Sequence, residues 1–257
     1  MLRNILRSGW DLRFKKYLNV YREGAALFEV ADFGPTCRMR AKTFELKEPE
    51  TLEWIDSMCE TDILIDIGSN IGLYSIYAGM HGITTYAVEP DALNFALLNL
   101  NIKKNKSGER VLGFCVALHD HTCISTLAKQ DLEWGGALSC FEGNTDQHGN
   151  SFRSVHQQGA FGLSLDSFCK LGKIHPTHIK LDVDGNELLV LSGAKECLSN
   201  TSLRSVLIEL DESNPNHAAC VDMLEQSGLK LQMKCQSELV ARGAYNTSFN
   251  YIYRREG

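Results

Sequence analysis

The chain has 257 residues, 44% of them apolar, and a formal net charge of -6 at neutral pH. This length and composition suit one large α/β domain with an appendage and argue against two equal domains. The acidic balance argues against a protein that binds nucleic acid through a broad basic surface, and it favours a small or uncharged partner.

Cysteine usage indicates a reducing compartment. Nine cysteines are scattered along the chain without a C-x-x-C pair, so neither a structural zinc site nor a disulfide framework is expected. The sequence has no pattern of a secretory signal and no apolar run of transmembrane length. We therefore expect a cytoplasmic protein.

Residues 1–60 are predicted to form a small α+β appendage that acts as a lid or an interface. It opens with a basic amphipathic helix, which could contact a membrane surface peripherally. The same apolar face could instead pack on its own domain or on a second subunit of a homo-oligomer. Two short strands are predicted around residues 28–30 and 38–44, followed by a helix from about residue 48.

Residues 62–72, D-I-L-I-D-I-G-S-N-I-G, form the most informative segment. The apolar run indicates a strand buried on both faces, and Gly68 and Gly72 allow a sharp turn and a close approach to a ligand. Asn70 is predicted as the N-cap of the next helix. Free backbone N–H groups of this turn, which includes Ser69, would face an anionic group at the positive end of the helix dipole. The segment predicts a nucleotide-cofactor site.

The spacing of two acids helps to choose between two cofactors. The dinucleotide fingerprint is G-x-G-x-x-G, whereas this chain has G-S-N-I-G with Asp66 two residues before the first glycine. A second predicted strand, at residues 83–88, ends in Glu89, which could accept both hydroxyls of a ribose. These residues resemble the class I methyltransferases that use S-adenosyl-L-methionine, in which an acid, a glycine turn and a second-strand acid hold the cofactor.

From residue 62 onward, predicted strands and helices alternate, which is typical of a parallel sheet covered by helices on both faces. Further strands are predicted at residues 111–118, 178–181, 205–210, 229–235 and 249–253. The last two resemble the antiparallel hairpin that closes the sheet of class I methyltransferases. We therefore predict a Rossmann-like, mostly parallel seven-stranded sheet for residues 61–257. The polar stretch 119–160 is expected to be a long, partly mobile excursion that shapes the substrate pocket.

A second motif narrows the family. Residues 178–194 read H-I-K-L-D-V-D-G-N-E-L-L-V-L-S-G-A, which resembles the FkbM family of methyltransferases, whose usual pattern is K-I-D-V-E-G-x-E before a leucine-rich helix. Further family-like pieces lie at 66–72, 88–91, 117–120, 164–168 and 207–210. The resemblance implies transfer of a methyl group from S-adenosyl-L-methionine to a hydroxyl, typically on a sugar or a polyketide-like natural product. Asp184 stands where the family usually has a glutamate.

Charged residues at the end of the fourth strand are the catalytic candidates, because open α/β sheets bind ligands there. Asp182 is predicted to take the proton of the acceptor hydroxyl as the methyl group moves, which would raise the rate by about 10²- to 10⁴-fold. Lys180 could hydrogen-bond a substrate oxygen or neutralise Asp182 and Asp184. Asp182 and Glu209 could alternatively share a divalent cation, but two carboxylates do not define a site and no metal is favoured.

Ala117, in the third strand, and His119, which follows it, are further cofactor candidates. Ala117 would face the adenine ring because its small side chain leaves room, although it could equally be a core residue. His119 could act as a proton acceptor or lie beside the adenine, or it could be a solvated residue at the rim.

Three functional classes remain open. The leading hypothesis is an S-adenosyl-L-methionine-dependent O-methyltransferase acting on a small-molecule or glycan acceptor with a free hydroxyl. An NAD-dependent oxidoreductase would use the same glycine turn and ribose acid, but the missing middle glycine and the fourth-strand motif argue against it. The third class is a non-catalytic binding module that retains the methyltransferase fold.

Overall fold

The structure is a computed structural model that describes residues 16–236, 238–241 and 246–256. The first 15 residues, and with them nearly all of the predicted basic amphipathic helix, lie outside the described part of the chain. No helix in the described ranges is long and apolar enough to cross a membrane.

The described residues form alternating strands and helices. In chain order these are β1 (Tyr17–Arg22), β2 (Ala25–Ala31), α1 (Pro35–Lys47), α2 (Pro49–Asp56), β3 (Ile63–Ile67), α3 (Leu73–Met80), β4 (Thr84–Val88), α4 (Ala92–Lys104), β5 (Val111–Phe114), β6 (Ala117–His119), β7 (Cys123–Lys129), β8 (Ser139–Phe141), β9 (His156–Ser164), α5 (Leu165–Gly172), β10 (His178–Leu181), α6 (Glu187–Ser192), α7 (Lys195–Ser199), β11 (Ser205–Asp211), α8 (His217–Gln226), β12 (Leu229–Cys235), α9 (Glu238–Ala241) and β13 (Ser248–Arg255).

The central sheet has seven strands in the order β12-β13-β11-β10-β3-β4-β5. Strand β13 is antiparallel to both of its neighbours, and the other strand pairs are parallel. The predicted Rossmann-like sheet with a C-terminal antiparallel pair is confirmed. In this register Asp66 of β3 lies beside Lys180 of β10, so the two predicted site strands end next to each other.

Helices cover both faces of this sheet, because the central strands are apolar on both sides. Along β3, Leu64 belongs to one buried cluster, whereas Ile65 and Ile67 belong to the other. The first cluster includes residues of α1 to α4, and the second includes residues of α5 to α8. The two-sided arrangement predicted from the alternating pattern is therefore present.

The N-terminal segment packs onto this domain. Strand β2 contains the predicted strand at residues 28–30, and α2 begins at Pro49, close to the predicted start. The predicted strand at 38–44 is wrong, because these residues lie in α1. Its polar–apolar alternation imitates a strand, but helix-forming residues dominate and the buried Cys37, Ala41 and Phe44 follow helical spacing. The boundary at residues 60 and 61 stays a prediction.

The stretch after the third strand is folded rather than irregular, so this prediction was wrong. Strands β6 to β9 form a second sheet in the order β6-β9-β7-β8. The predicted third strand is divided, since β5 ends at Phe114 and β6 turns into the second sheet. Strands β7 and β9 leave every other residue of their first halves more exposed, which explains why their polar composition resembles a loop.

Candidate active site

A cleft of about 340 Å³ opens at the carboxyl ends of β3, β4 and β10. Its apolar half is lined by Val88, Val116, Ala117, Leu127 and Phe141. Its charged half is lined by Arg40, Lys47, Asp182, Asp184 and Glu209. A smaller cavity of about 40 Å³ shares the lining residues Gly68, Asn70 and Asp182 and also reaches Asp66, Ser69 and Lys180. Most of the predicted cofactor and catalytic residues therefore meet in one place.

The turn after β3 is built on glycine for a steric reason. Gly68 has φ 79°, and a Cβ atom at this position would lie 1.8 Å from the carbonyl oxygen of Asp182. Gly72, with φ 86°, is the N-cap of α3, so the prediction of Asn70 as N-cap was wrong. Asn70 itself is left-handed, with φ 49°, and its Nδ2 donates to the carbonyl oxygen of Gly136 at 2.7 Å.

The N–H groups of this turn, which were expected to be free, donate hydrogen bonds to other groups of the protein. The amides of Gly68 and Ser69 both donate to the carbonyl oxygen of Val88, and that of Gly72 donates to the carbonyl oxygen of Ser69. The amide of Asn70 donates to Glu89, and that of Ile71 to the Asn70 side chain. Free amides of residues 68–72 are thus not the anion-binding element that the sequence predicted. The role of the turn is steric, because it brings the backbone close to the cavity.

Two buried oxygen atoms beside this turn have no hydrogen-bond partner. They are Asp66 Oδ1 and Ser69 Oγ, and both residues line the smaller cavity. Asp66 Oδ2 accepts a hydrogen bond from Ser75 Oγ. Burial raises the pKa of Asp66, although the nearby charge of Lys180 opposes this shift. Since unpaired buried polar atoms are costly, the pair indicates a ligand with hydrogen-bonding groups of its own.

Glu89 is one of the residues that line the cleft. Its Oε2 accepts from the amide of Asn70 at 2.8 Å, and its Oε1 accepts from the amide of Asp91 at 2.9 Å. Burial raises the pKa of Glu89 to about 8. Each carboxylate oxygen has a second lone pair, so both can still accept a hydroxyl of a ligand.

The two candidates on the third strand have different surroundings. Ala117 is buried and lines the apolar half of the cleft. His119 is buried in the second sheet rather than solvated, and its ring packs against Phe141 with 5.5 Å between centroids. His119 is not among the residues that line the cleft.

Asp182 and Lys180 form a partly buried ion pair at the end of β10, in which Lys180 is buried and the Asp182 side chain is 23% exposed. Lys180 Nζ donates to Asp182 Oδ2 at 3.0 Å and lies 5.2 Å from the ring centroid of Tyr74. Burial favours the protonated form of Asp182, but the charges of Lys180 and Lys47 outweigh it and hold the pKa of Asp182 below its usual value. Burial likewise opposes the charge of Lys180, yet the nearby acids raise its pKa.

Helix α1 adds charged groups that the sequence analysis missed. Lys47 Nζ lies 2.6 Å from Glu48 Oε1, and the carboxylates of Glu48, Asp182 and Glu209 each have an oxygen within 4.8 Å of the others. Burial, followed by the charge of Asp182, raises the pKa of Glu209 well above its usual value. The predicted Asp182–Glu209 pair is therefore brought together, but two lysine amines already neutralise the cluster. The helical spacing of the buried residues in α1 was the signal that could have placed Lys47 and Glu48.

The other two acids of the fourth-strand motif, Asp184 and Glu187, accept hydrogen bonds from backbone amides of loops. Asp184, with φ 53°, accepts a hydrogen bond through Oδ2 from the amide of Leu138 at 2.7 Å. Burial and the charge of Asp182 raise the pKa of Asp184 to about 6. Glu187 Oε1 accepts from the amide of Gly185 at 2.9 Å. The motif thus fixes the wall of the cleft at Leu138 and the backbone turn at Gly185.

The lining residues fit S-adenosyl-L-methionine. The apolar half suits an adenine ring, Glu89 suits a ribose, and the unpaired oxygens of Asp66 and Ser69 suit the polar end of the cofactor. When bound, the cofactor would supply an electrophilic methyl group. Ala117, Glu89, Asp66 and Ser69 are the residues that would hold it.

The strand order of the sheet and the glycine turn at its centre define the class I methyltransferase fold. The sequence model of the Methyltransferase FkbM domain matches residues 66–231, and the chain belongs to this family. It is a methyltransferase, and its cofactor is S-adenosyl-L-methionine. This result decides against the NAD-dependent oxidoreductase and the non-catalytic module.

Several solved structures resemble this fold at low sequence identity. Precorrin-6y C5,15-methyltransferase from Geobacter metallireducens is 11% identical, with a TM-score of 0.48 over 82% of this chain and 87% of that chain. A TehB-like SAM-dependent methyltransferase from Corynebacterium glutamicum is 10% identical, with a TM-score of 0.44 over 86% and 94% of the two chains. TYW2 from P. horikoshii, in complex with MeSAdo, is 10% identical, with a TM-score of 0.45 over 92% and 69%. No curated protein matches the chain.

Proposed function

We propose that this methyltransferase transfers the methyl group to a hydroxyl oxygen of a sugar, a glycan or a hydroxylated natural product. The observation that carries the proposal is the position of the Asp182 carboxylate, which accepts a hydrogen bond from Lys180 Nζ at 3.0 Å and lines both the cleft and the smaller cavity beside the glycine turn. An alcohol is a weak nucleophile at neutral pH and needs a group to take its proton. A carboxylate kept ionised by two lysines is in the form that can do so.

In the proposed reaction the bound cofactor would supply its methyl group to the acceptor oxygen and keep the sulfur as the leaving group. Asp182 would take the proton of the acceptor hydroxyl. General-base help of this kind is worth about 10²- to 10⁴-fold in rate. Alignment of the oxygen with the methyl group can lower the barrier further, by up to about 7–11 kcal/mol. Lys180 acts as a positioning residue, because its amine contacts Asp182 and lines only the smaller cavity.

The charged half of the cleft supports an acceptor with several hydroxyls. Arg40 and Lys47 offer hydrogen-bond donors, while Asp184 and Glu209 can accept hydrogen bonds. A sugar presents donors and acceptors on adjacent carbons and suits such a mixed lining. The acid groups and the net charge of -6 do not suit the phosphate backbone of a nucleic acid. Nine unpaired cysteines support a reducing compartment such as the cytoplasm for this reaction.

The test is to identify the methylated product. The purified protein is incubated with S-adenosyl-L-methionine carrying a deuterated methyl group and with a panel of methyl glycosides, free sugars, glycosylated natural products and bulk tRNA. We expect mass spectrometry to find label on a sugar-type acceptor, and NMR to locate the methyl group on oxygen. Label on nitrogen or carbon, or on tRNA alone, would contradict the proposal.

A pair of matched variants tests the proposed base. Asp182→Asn should lower turnover by about 10²- to 10⁴-fold while cofactor affinity stays within a few-fold. Asp222→Asn makes the same change at an exposed position of α8 and should leave turnover unaltered. Full activity of Asp182→Asn would remove this residue from the role of base.

A further inference from the structure

A second group of reactive side chains lies outside the cleft, on the outer sheet. It consists of His119 at the end of β6, His121 in the following loop, Cys123 at the start of β7 and Glu142 directly after β8. We call these four residues the His–Cys cluster. These residues belong to two overlapping groups, one of His119, Asp120 and His121 and the other of His121, Cys123 and Glu142. Within each group, one potential metal-binding atom per residue lies within 4.8 Å of the others.

His119 is the member that needs an explanation. Its side chain is only 5% exposed, yet neither ring nitrogen makes a hydrogen bond. Nδ1 lies 2.7 Å from Asp120 Oδ1 and 3.7 Å from Glu142 Oε2, whereas Nε2 has no partner. A buried polar group without a partner costs about 1–3 kcal/mol. A cation bound between the two carboxylates would be within reach of Nδ1.

The distances within the cluster centre on Glu142, whose Oε2 lies 3.7 Å from His119 Nδ1, 3.8 Å from His121 Nε2 and 3.6 Å from Cys123 Sγ. His121, Cys123 and Glu142 each have a potential ligand atom within 4.8 Å of the others, whereas His119 does not join this group. Tetrahedral bonds of about 2.0–2.3 Å separate neighbouring ligand atoms by about 3.3–3.6 Å. The exposed side chain of His121 and the half-buried side chain of Cys123 must therefore move towards His119 for one ion to bind all four.

Asp120 completes the arrangement from outside. Its Oδ1 lies 2.5 Å from His121 Nδ1, which leaves His121 Nε2 directed towards Glu142. A carboxylate that binds the second nitrogen of a histidine fixes the orientation and the proton position of a metal-ligating ring. Asp120 is thus a supporting residue, and the four cluster residues are the ligands.

We propose that the His–Cys cluster binds one zinc ion through two imidazoles, one thiolate and one carboxylate. This mixed nitrogen, sulfur and oxygen set suits a borderline-soft divalent cation and not magnesium or calcium. Binding releases the thiol proton of Cys123 to solvent. The absence of a C-x-x-C pair led the sequence analysis to expect no structural zinc site, because the H-x-H-x-C spacing gains its fourth ligand from a distant strand.

The site would connect the outer sheet to the cleft. Strand β6 carries Ala117 and strand β8 carries Phe141, and both residues line the apolar half of the cleft. An ion shared by the ends of these strands would hold that wall together without touching the methyl group. The role is structural, and its test does not depend on methyl transfer.

The test uses the full chain freed of metal with a chelator and then titrated with cobalt(II), a spectroscopic substitute for zinc. We expect one equivalent of cobalt to bind, with the visible bands of a tetrahedral site and a thiolate charge-transfer band, and zinc to displace it. Cys123→Ser should abolish the charge-transfer band. Cys59→Ser, which changes an exposed cysteine elsewhere, should leave the band unchanged.

Two further variants keep the result decisive if Cys123→Ser does not fold. Asp120→Asn leaves all four ligands in place and should weaken cobalt binding by about 10- to 100-fold. His121→Ala should lose tetrahedral binding, whereas His175→Ala, at an exposed histidine elsewhere, should not. No cobalt binding by the wild-type chain would overturn the proposal, as would a charge-transfer band that survives in Cys123→Ser.

Discussion

The two halves of the cleft are built on different physical principles. The apolar half consists of aliphatic side chains and the ring of Phe141, and its shape follows from close packing of the two sheets. The charged half depends on a balance between two lysines and the carboxylates of Glu48, Asp182 and Glu209. Steric changes should therefore damage the first half most, and removal of a charge should damage the second.

The largest effect is expected where the two halves meet. Gly68→Ala adds a methyl group 1.8 Å from the carbonyl oxygen of Asp182, at a φ of 79° that alanine rarely adopts. Both backbones would have to move, so cofactor binding should become undetectable by calorimetric titration. Gly159→Ala is the control, because a Cβ there meets nothing within 4 Å. Wild-type cofactor affinity in Gly68→Ala would show that the contact does not shape the site.

The next effect concerns charge balance. Lys180→Met removes an amine that holds Asp182 ionised and should lower the free energy of unfolding by less than the value of about 3–5 kcal/mol typical of a fully buried pair, because Asp182 is partly exposed and keeps Lys47 nearby. The pKa of Asp182 should rise, so the acid limb of the turnover profile should move to higher pH. Lys230→Met, in an exposed pair with Glu256, should change the free energy of unfolding by less than about 1 kcal/mol. An unshifted pH profile in Lys180→Met would refute the proposed positioning role.

The Lys180–Asp182 pair also makes the free energy of unfolding depend on pH in the acidic range. Because the pKa of Asp182 is depressed in the folded protein, its contribution is fully present above the ordinary aspartate value of about 3.9. It is lost as the pH falls through the lower folded-state value. Chemical unfolding at several acidic pH values should show this loss in the wild type and a smaller loss in Asp182→Asn.

A smaller effect, on cofactor affinity, is expected for Glu89 at the border between the apolar and charged halves of the cleft. Glu89→Gln should weaken cofactor binding by about 1–3 kcal/mol if both ribose hydroxyls lose a charged acceptor. Burial raises the pKa of Glu89 to about 8, and hydroxyl donors favour its ionised form. Cofactor affinity should therefore increase as the pH rises towards 8 and then level off.

Calorimetric titration over a pH series measures this dependence. Glu89→Gln has no proton to lose at this position, so the part of the pH dependence that comes from Glu89 should disappear. Identical pH profiles for the variant and the wild type would exclude Glu89 as the ribose acceptor. The unliganded protein should also lose stability from this group as the pH rises from about 4.3 towards 8, since the folded state holds the proton more tightly.

The smallest effect concerns the residue that departs from the family pattern. Asp184→Asn keeps an acceptor for the amide of Leu138 and tolerates the left-handed backbone, so turnover should change little. Asp184→Ala removes the hydrogen-bond acceptor of the Leu138 amide. It should weaken binding of the methyl-accepting substrate by about 0.5–1.5 kcal/mol, measured as a higher KM for that substrate. Loss of turnover in Asp184→Asn would instead point to a direct chemical role.

Local patterns were sufficient to predict where the glycine turn and the acid after β4 lie in the fold. The apolar run before Gly68 and the acid after β4 lie within short segments, and parallel strands bring their carboxyl ends to one edge. The fate of the turn amides could not be predicted in this way. It depends on the carbonyl oxygen of Val88 and the carboxylate of Glu89, which reach the turn only through the pairing of β3 with β4.

The charged half was only partly predictable, because it is assembled across long sequence separations. Asp182 and Glu209 could be identified at strand ends, but Glu48 reaches them from the segment after α1, whose sequence alternates like a strand. The second sheet was missed for a related reason. Its strands expose one face and bury the other against the cleft, so polarity alone could not separate them from a loop.

The contact between Gly68 and Asp182 has an evolutionary consequence. The turn beside the proposed donor site and the strand end that carries the proposed base touch through their backbones, with no room for a side chain between them. Mutations that reshape the segment at residues 131–139 can therefore alter which molecule enters without changing the spacing between donor and base. Such a protein can acquire new substrates by exchanging its outer wall while its reaction chemistry is inherited intact.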